Sequence, residues 1–505
     1  MRLLFTSISM LVFALCFSSC NEGGGGETGE TGSVIMGRVI DATTAGSPAT
    51  ATVSAEGITV TTNETGYFVL SDMPKDAHVL LSITADGYAA TVEPVDTVDG
   101  ASTFVEVSVL PWGGIVTFDA AAGGTVTTGE GASVAIPPGA LDATGEVTAY
   151  LAWLDAANDA TLSALPGDFT TDQGETLESF GAVAIEVRDG LGGLVNLATG
   201  QTAAASIPVS TTGTDSIPLW WFDESTGLWV EQGTLTGCAS GTCAGDLAHF
   251  SWWNADQVLE TTCLTVCAEG GDGSPAVGIT VQANGVDYNG ESQGTTGPDG
   301  CACLNVKRAA TVDIVAITSG GWIGPMQHTT SDTVTSCEEG GCEEVLIDGP
   351  VETAMFQAFL TWSEQPADLD SHFTGPCHPD DSSCTDRFHI YYGDQGSLFD
   401  APWAYLDTDD TSSFGPEITS LARCTEGVYR YSVHNFSGSP GIETSSAEVI
   451  VFLPNGTTVT ETVPSSNPSA NLVWVVGDLT CNADCDCSWD SIGDFGPDDD
   501  TSYHP

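Results

Sequence analysis

Short runs of Val, Thr, Ile and Tyr, each cut off after a few residues by Gly, Asp, Asn or Pro, recur along almost the whole chain. Thr59-Val60-Thr61-Thr62 ahead of Asn63-Glu64-Thr65-Gly66 is one such unit. Glu448-Val449-Ile450-Val451-Phe452-Leu453 ahead of Pro454-Asn455-Gly456 is another. β-branched and aromatic residues suit a pleated, half-buried surface, and Asn-Gly supplies the positive φ angles of a tight hairpin. Long apolar patterns of helical period are hard to find, so the sequence predicts an all-β chain. Its 505 residues exceed what one hydrophobic core supports. Roughly three or four domains follow, arranged as a multidomain string of β-sandwiches.

The N-terminus reads as an export signal. Met1-Arg2 carries one positive charge, and Leu3 to Cys16 is an almost unbroken apolar run, too short to span a bilayer. Phe17-Ser18-Ser19-Cys20 then resembles the bacterial lipobox, with Phe17 where that motif usually has an aliphatic residue. The resemblance implies a signal peptide over 1–19 and acyl chains on Cys20, the first mature residue. Asn21-Glu22, with no Asp after the cysteine, implies the outer membrane, on its surface or periplasmic face. Residues 20–33, with Gly23 to Gly26, form a flexible tether. No later stretch is apolar enough for a transmembrane helix.

Charge narrows the partners. Nine Lys and Arg stand against 69 Asp and Glu, for a net charge of -60. So few cations cannot build a phosphate-binding patch, which excludes nucleic acid. Such acidity serves either solubility in salty water or retention of divalent cations.

Of 16 cysteines, Cys16 and Cys20 belong to the leader and anchor, leaving an even number in the body. Those are Cys238, Cys243, Cys263, Cys267, Cys301, Cys303, Cys337, Cys342, Cys377, Cys384, Cys424, Cys481, Cys485 and Cys487. In an exported chain they are disulfide candidates, and the absence of any Cys-x-x-Cys pair argues against zinc. Short spacing lets Cys238 and Cys243 close a hairpin and Cys377 and Cys384 close a loop; the other connectivities stay open.

The first module, 34–111, contains Gly37-Arg38-Val39-Ile40-Asp41, Thr62-Asn63-Glu64-Thr65-Gly66-Tyr67-Phe68 and Ile83-Thr84-Ala85-Asp86-Gly87-Tyr88. It resembles the carboxypeptidase regulatory-like family, which implies a seven-stranded prealbumin-like sandwich without peptidase residues. The third module, 262–349, repeats its strand and turn order through Val277-Gly278-Ile279-Thr280-Val281 and Thr295-Thr296-Gly297-Pro298-Asp299-Gly300.

Between them, 112–256 carries Val134-Ala135-Ile136-Pro137-Pro138-Gly139-Ala140-Leu141, Leu219-Trp220-Trp221-Phe222-Asp223-Glu224 and His249-Phe250-Ser251-Trp252-Trp253-Asn254. In that order these motifs are similar to the extracellular domain of the cartilage intermediate layer protein family, whose first part is ZU5-like. Its aromatics Trp220, Trp221, Trp229, Trp252 and Trp253 suit either core packing or a sugar-stacking platform.

Residues 353–480 read Pro366-Ala367-Asp368-Leu369-Asp370-Ser371-His372, then Arg387-Phe388-His389-Ile390-Tyr391-Tyr392-Gly393, then Gly427-Val428-Tyr429-Arg430-Tyr431-Ser432-Val433-His434-Asn435. This resembles the YfaP family of exported bacterial proteins. Asp368, Asp370 and His372 share one strand face by alternation, and Asp407, Asp409, Asp410 and Glu417 form a second acidic group. Crowded carboxylates repel unless a cation or protons neutralise them, so these seven residues are the candidate metal ligands, for Ca2+ first. Nitrogen from His372, His389 and His434 would favour Zn2+ instead. The alternative is that they are turn and strand-end residues bonded to backbone. No spacing matches an EF-hand loop. Residues 481–505 read as a loose, Cys-rich acidic tail.

No Gly-x-Ser-x-Gly elbow, His-Glu-x-x-His or phosphate loop is present. The expected function is therefore non-catalytic: a lipid-anchored surface protein for adhesion, for binding extracellular protein or polysaccharide, or for envelope structure. The alternatives are a metal-dependent hydrolase centred on the Asp/His cluster and a purely structural spacer.

Overall fold

The computed structural model describes residues 32–505 except 49, 64, 212, 271–272, 319–320, 349–350, 352–353, 380, 382, 407–408, 412 and 454–456. The expected signal peptide, Cys20, most of the expected tether and Asp407 lie outside the described residues. Strands dominate; the only α-helices among the described residues are the single turns Asp159–Leu162 and Asp500–Tyr503. No described helix is long and apolar enough to cross a membrane.

Two sandwiches share one topology. In the first, strand Ser33–Asp41 lies between Tyr67–Met73 and Ser102–Val109, and a four-stranded sheet faces it. Ser33–Asp41 runs parallel to Ser102–Val109, with Val34 opposite Ser102 and Asp41 opposite Val109. The same arrangement returns with Thr261–Cys267 between Cys301–Lys307 and Glu343–Leu346, again opposed by four strands. Disulfides Cys263–Cys342, Cys267–Cys301 and Cys303–Cys337 knit this second copy.

The region between them forms one 11-stranded sheet that curls until its edge strands Gly114–Asp119 and Gly124–Thr127 meet. The approach is close enough that a Cβ on Gly114 would stand 2.3 Å from the Thr127 carbonyl oxygen. Its inner face packs Val134, Leu151, Val183, Ile185, Leu219 and Trp253 into a core. Trp220, Trp229, Trp252 and Trp253 are buried and Trp221 is partly buried, so these rings pack and do not form an exposed platform. Trp252 reaches the first sandwich, donating from Nε1 to the Ala90 carbonyl at 2.7 Å.

The C-terminal sandwich stacks a six-stranded sheet on a five-stranded one. Phe356, Leu360, Phe373, Tyr431, Val449 and Trp474 fill the space between them. Residues 481–505 are not loose. Strand Cys487–Gly496 pairs along Val473–Cys481, and disulfides Cys481–Cys487 and Cys424–Cys485 hold that hairpin. Alternation explains it: Trp489 and Phe495 turn toward the core while the acidic residues between them face water.

The modules are sequential along the chain but folded against one another in space. Val34, Met36 and Phe104 of the first sandwich, Val315 and Ile317 of the third module, and Phe359, Ile418 and Phe452 of the last form one shared apolar cluster. Ser33–Asp41 is accordingly buried on both faces, with Ile35 and Val39 in its own core and Val34 and Met36 in the shared one. A strand buried on both sides reads as an unbroken apolar run, as Val34-Ile35-Met36 does. Where the first three modules meet, three carboxyls crowd together: Glu93, Asp168 and Glu291, one from each. Burial, with help from one another's charge, raises the pKa of Glu93 and Glu291, and burial raises that of Asp168.

Candidate metal centre

The two acidic groups converge at one end of the C-terminal sandwich, because each sheet presents a carboxylate there. Asp370 opens strand Asp370–Pro376 of the five-stranded sheet, and Glu417 opens Glu417–Leu421 of the six-stranded sheet. Asp370 is 2% exposed and Glu417 0% exposed, so neither charge is solvated by bulk water. Asp370, Asp409 and Glu417 can each bring an oxygen within 4.8 Å of the others'. Asp409 enters from the connecting loop and is exposed, leaving an approach from solvent.

One Glu417 oxygen accepts the Ser371 backbone N–H at 2.6 Å, a hydrogen bond that crosses from sheet to sheet. The other, Oε1, has no partner among the described residues. A buried carboxylate oxygen without a donor is costly, which is why burial lifts the Glu417 pKa well above the usual carboxylate range. Asp368, half-buried in the loop before Asp370, also has an oxygen without a partner. Burial, then repulsion from Asp370, Asp409 and Asp410, pushes its pKa up to about 6. Asp409 is raised for the same reasons. A cation among these oxygens would relieve all three. An all-oxygen set is the donor chemistry of a hard cation, and the residues present fit Ca2+.

Of the seven sequence-predicted ligands, the structure gathers Asp370, Asp409 and Glu417 at one point and sets Asp368 and Asp410 beside them. Asp407 lies outside the described residues. Asp368 is not on the strand face with Asp370: it precedes the strand, its N–H bonded to Ser437 Oγ at 3.0 Å. His372 sits on the neighbouring side with His434, each within 4.8 Å of an Asp370 oxygen. Its ring stacks on Tyr503 at 4.4 Å, and burial holds its pKa down to about 2. Burial also lowers His389, to about 4.

The cysteine groups that lie close together, around Cys263 and around Cys481, are all disulfide-bonded. Cys238–Cys243 and Cys377–Cys384 also form, so all the body cysteines are paired.

No family model and no curated protein matches the chain. Solved structures that align with it include a homologue of the telluride resistance protein TerD from Streptomyces coelicolor A3(2), at 13% identity and TM-score 0.23, over 30% of this chain and 96% of that one. The major pilin subunit BcpA of Bacillus cereus aligns at 9% identity and TM-score 0.14, over 63% and 98%. A putative carbohydrate-binding protein from Bacteroides uniformis aligns at 9% and 0.13, over 59% and 98%. None reaches the similarity from which a shared function follows.

Sequence reasoning missed Asp498 and Tyr503, which the C-terminal segment brings over the centre. Asp498 Oδ2 stands 3.7 Å from His434 Nε2, and the Tyr503 hydroxyl donates to Asp498 at 2.7 Å. The available signal was the Trp489–Phe495 alternation, which marks a strand where composition alone suggests disorder.

Proposed function

We propose that this chain is a non-catalytic, lipid-anchored surface protein whose C-terminal sandwich is pinned by Ca2+ and displays a binding face for extracellular protein or polysaccharide. The observation that carries the cation reading is the unpartnered, fully buried Oε1 of Glu417, facing Asp370 from the opposite sheet. A cation shared by the two carboxylates joins the sheets where repulsion would otherwise part them. Tyr392 and Phe436, exposed rings 5.4 Å apart edge to face, flank the same end next to His434 and offer apolar contact to a ligand. Export and lipidation rest on the leader and the Cys20 motif.

The test is calorimetry of the purified, metal-stripped protein with Ca2+ added at constant ionic strength. A ligand bound only by the native state at a hundredfold excess over its Kd stabilises it by about 2.7 kcal/mol. Wild type is expected to melt higher with Ca2+. Glu417→Gln keeps the Ser371 acceptor but removes the charge, so it should lose that response and, without Ca2+, melt no lower than wild type. An equal Ca2+ response in both proteins, or none in either, rejects the reading. Binding of cells with and without the gene to a glycan array tests the display role.

A further inference from the structure

The geometry points to a second metal site beside the carboxylate set: a nitrogen-rich site for a transition metal such as Zn2+, formed by His372, His434 and Asp370 under the C-terminal segment. It shares Asp370 with the proposed Ca2+ site but does not depend on that site being real.

Three observations converge. The side chains of Asp370, His372 and His434 can place one donor atom each within 4.8 Å of the others', a span that one ion can bridge. All three come from paired strands of one sheet, with Asp370 directly opposite His434 in register and His372 opposite Ser432. Rigid, adjacent strands hold ligands more accurately than loops do. Second, the Nε2 atoms of His372 and His434 are both buried without a hydrogen-bond partner among the described residues, and His372 is only 6% exposed. His434 turns Nδ1 to Asp370 Oδ2, 3.4 Å away, and Nε2 to Asp498, while His372 Nε2 has no partner at all; buried ring nitrogens normally find partners, so these open positions beside a buried carboxylate indicate a missing ligand.

Third, His372 carries the outer support that metal-binding histidines usually have. Its Nδ1 lies 2.8 Å from His389 Nε2. If Nδ1–H donates in that bond, the unpartnered Nε2 carries the lone pair and is left to bind a ligand. In the opposite arrangement Nε2–H would be a buried donor with no acceptor. A hydrogen bond that sets the tautomer and orientation of a ligating ring is a recurring part of such sites.

The C-terminal segment closes the site from above. Tyr503 stacks on His372, its carbonyl accepts from Thr374 Oγ1 at 2.5 Å, and the Ser502 carbonyl accepts from Ser432 Oγ at 3.0 Å. Arg430 donates to the His504 carbonyl at 2.6 Å. These bonds place Asp498 at the open side of His434, as a further oxygen donor. Two nitrogens with carboxylate oxygen suit Zn2+ or Co2+, whereas Ca2+ prefers the oxygens of Asp370, Asp409 and Glu417.

The test uses the whole purified protein, stripped with chelator and titrated with Co2+ in excess Mg2+, which occupies the acidic surface. Nitrogen-bound Co2+ reports itself by visible absorption bands. We expect one Co2+ per chain with such bands, displaced by Zn2+. His434→Gln and His372→Ala should each weaken binding at least about 100-fold and remove the bands. His389→Ala should weaken it by about 10- to 100-fold while keeping the bands, because it orients the ring without touching the metal. Glu417→Gln should leave Co2+ binding within about threefold of wild type. A wild-type far-UV circular dichroism spectrum and a cooperative melt would show that His434→Gln folds, whatever the outcome with Ca2+. Failure of wild type to bind Co2+ with these bands, or equally tight binding by His434→Gln, overturns the second site and leaves the Ca2+ reading untouched. Loss of the Ca2+ response in wild type with Co2+ binding intact does the reverse.

Discussion

The carboxyl trio where the first three modules meet makes acid stabilising, and Glu291→Gln isolates the effect. Gln282 donates to one Glu291 oxygen, but burial dominates, with the Asp168 charge adding to it, and holds the Glu291 pKa at about 7 against an ordinary 4.5. The unfolded chain therefore releases this proton near pH 4.5 and the folded chain near 7. Between those values the folded form binds more protons, so stability falls as pH rises through the window and is flat outside it. The displacement corresponds to about 3 kcal/mol, fully lost above pH 7 and fully recovered below pH 4.5. Other carboxylates of this very acidic chain also titrate in that range, so the pH dependence of wild type alone decides nothing. Gln keeps the acceptor for Gln282 and has no proton to lose. In urea denaturation at constant ionic strength, Glu291→Gln minus wild type should be near zero at pH 4 and about 2–3 kcal/mol stabilising at pH 8. A difference that does not change with pH, or a variant less stable at pH 8, would refute the argument.

Removing the Cys263–Cys342 bridge by paired Ala substitutions should cost about 3 kcal/mol by chain entropy, read from the urea midpoint, because Cys267–Cys301 and Cys303–Cys337 remain and shorten the loop it closes to roughly a dozen residues. Ile418→Ala, which empties part of the cluster shared by three modules, should cost about 2–4 kcal/mol. Limited proteolysis should then cut first between the third and C-terminal modules; unchanged protection would mean that the cluster does not hold them. Gly375→Ala should destabilise the C-terminal sandwich by at least about 1–3 kcal/mol, since its Cβ would stand 2.2 Å from the Tyr429 ring; thermal melting checks it.

Much of the candidate metal centre could be read in advance, but not its arrangement. Asp368-Leu369-Asp370-Ser371-His372 announced a carboxylate-histidine strand, and Asp370 and His372 do lie on one. Glu417 entered only as one more acid near Asp409, although it is the residue with the most strongly constrained environment. Nothing local distinguishes it: in a chain this acidic, Glu at a strand start is ordinary. The C-terminal segment was misread for a related reason. Asp and Ser between Trp489 and Phe495 lower the mean hydropathy, while the alternation that buries the two rings survives.

The sequence by itself determined the all-β architecture, because strand period and turn residues are local properties of the chain; the seven-strand expectation for the two small sandwiches rested on a family resemblance. Short spacing pointed to Cys238–Cys243 and Cys377–Cys384, which form, but spacing alone does not decide: Cys337 and Cys342 are as close in sequence as Cys238 and Cys243 and pair with other cysteines. Tertiary structure decided the remaining cysteine pairs, the packing of the tryptophans and which carboxylates meet. Ser371 and Glu417 are 46 residues apart and belong to different sheets, yet share a hydrogen bond because the sheets stack. Both faces of Ser33–Asp41 are buried because another module covers the outer one. Contacts of that kind depend on how finished sheets pack, and strand periodicity sets only which side chains each sheet offers.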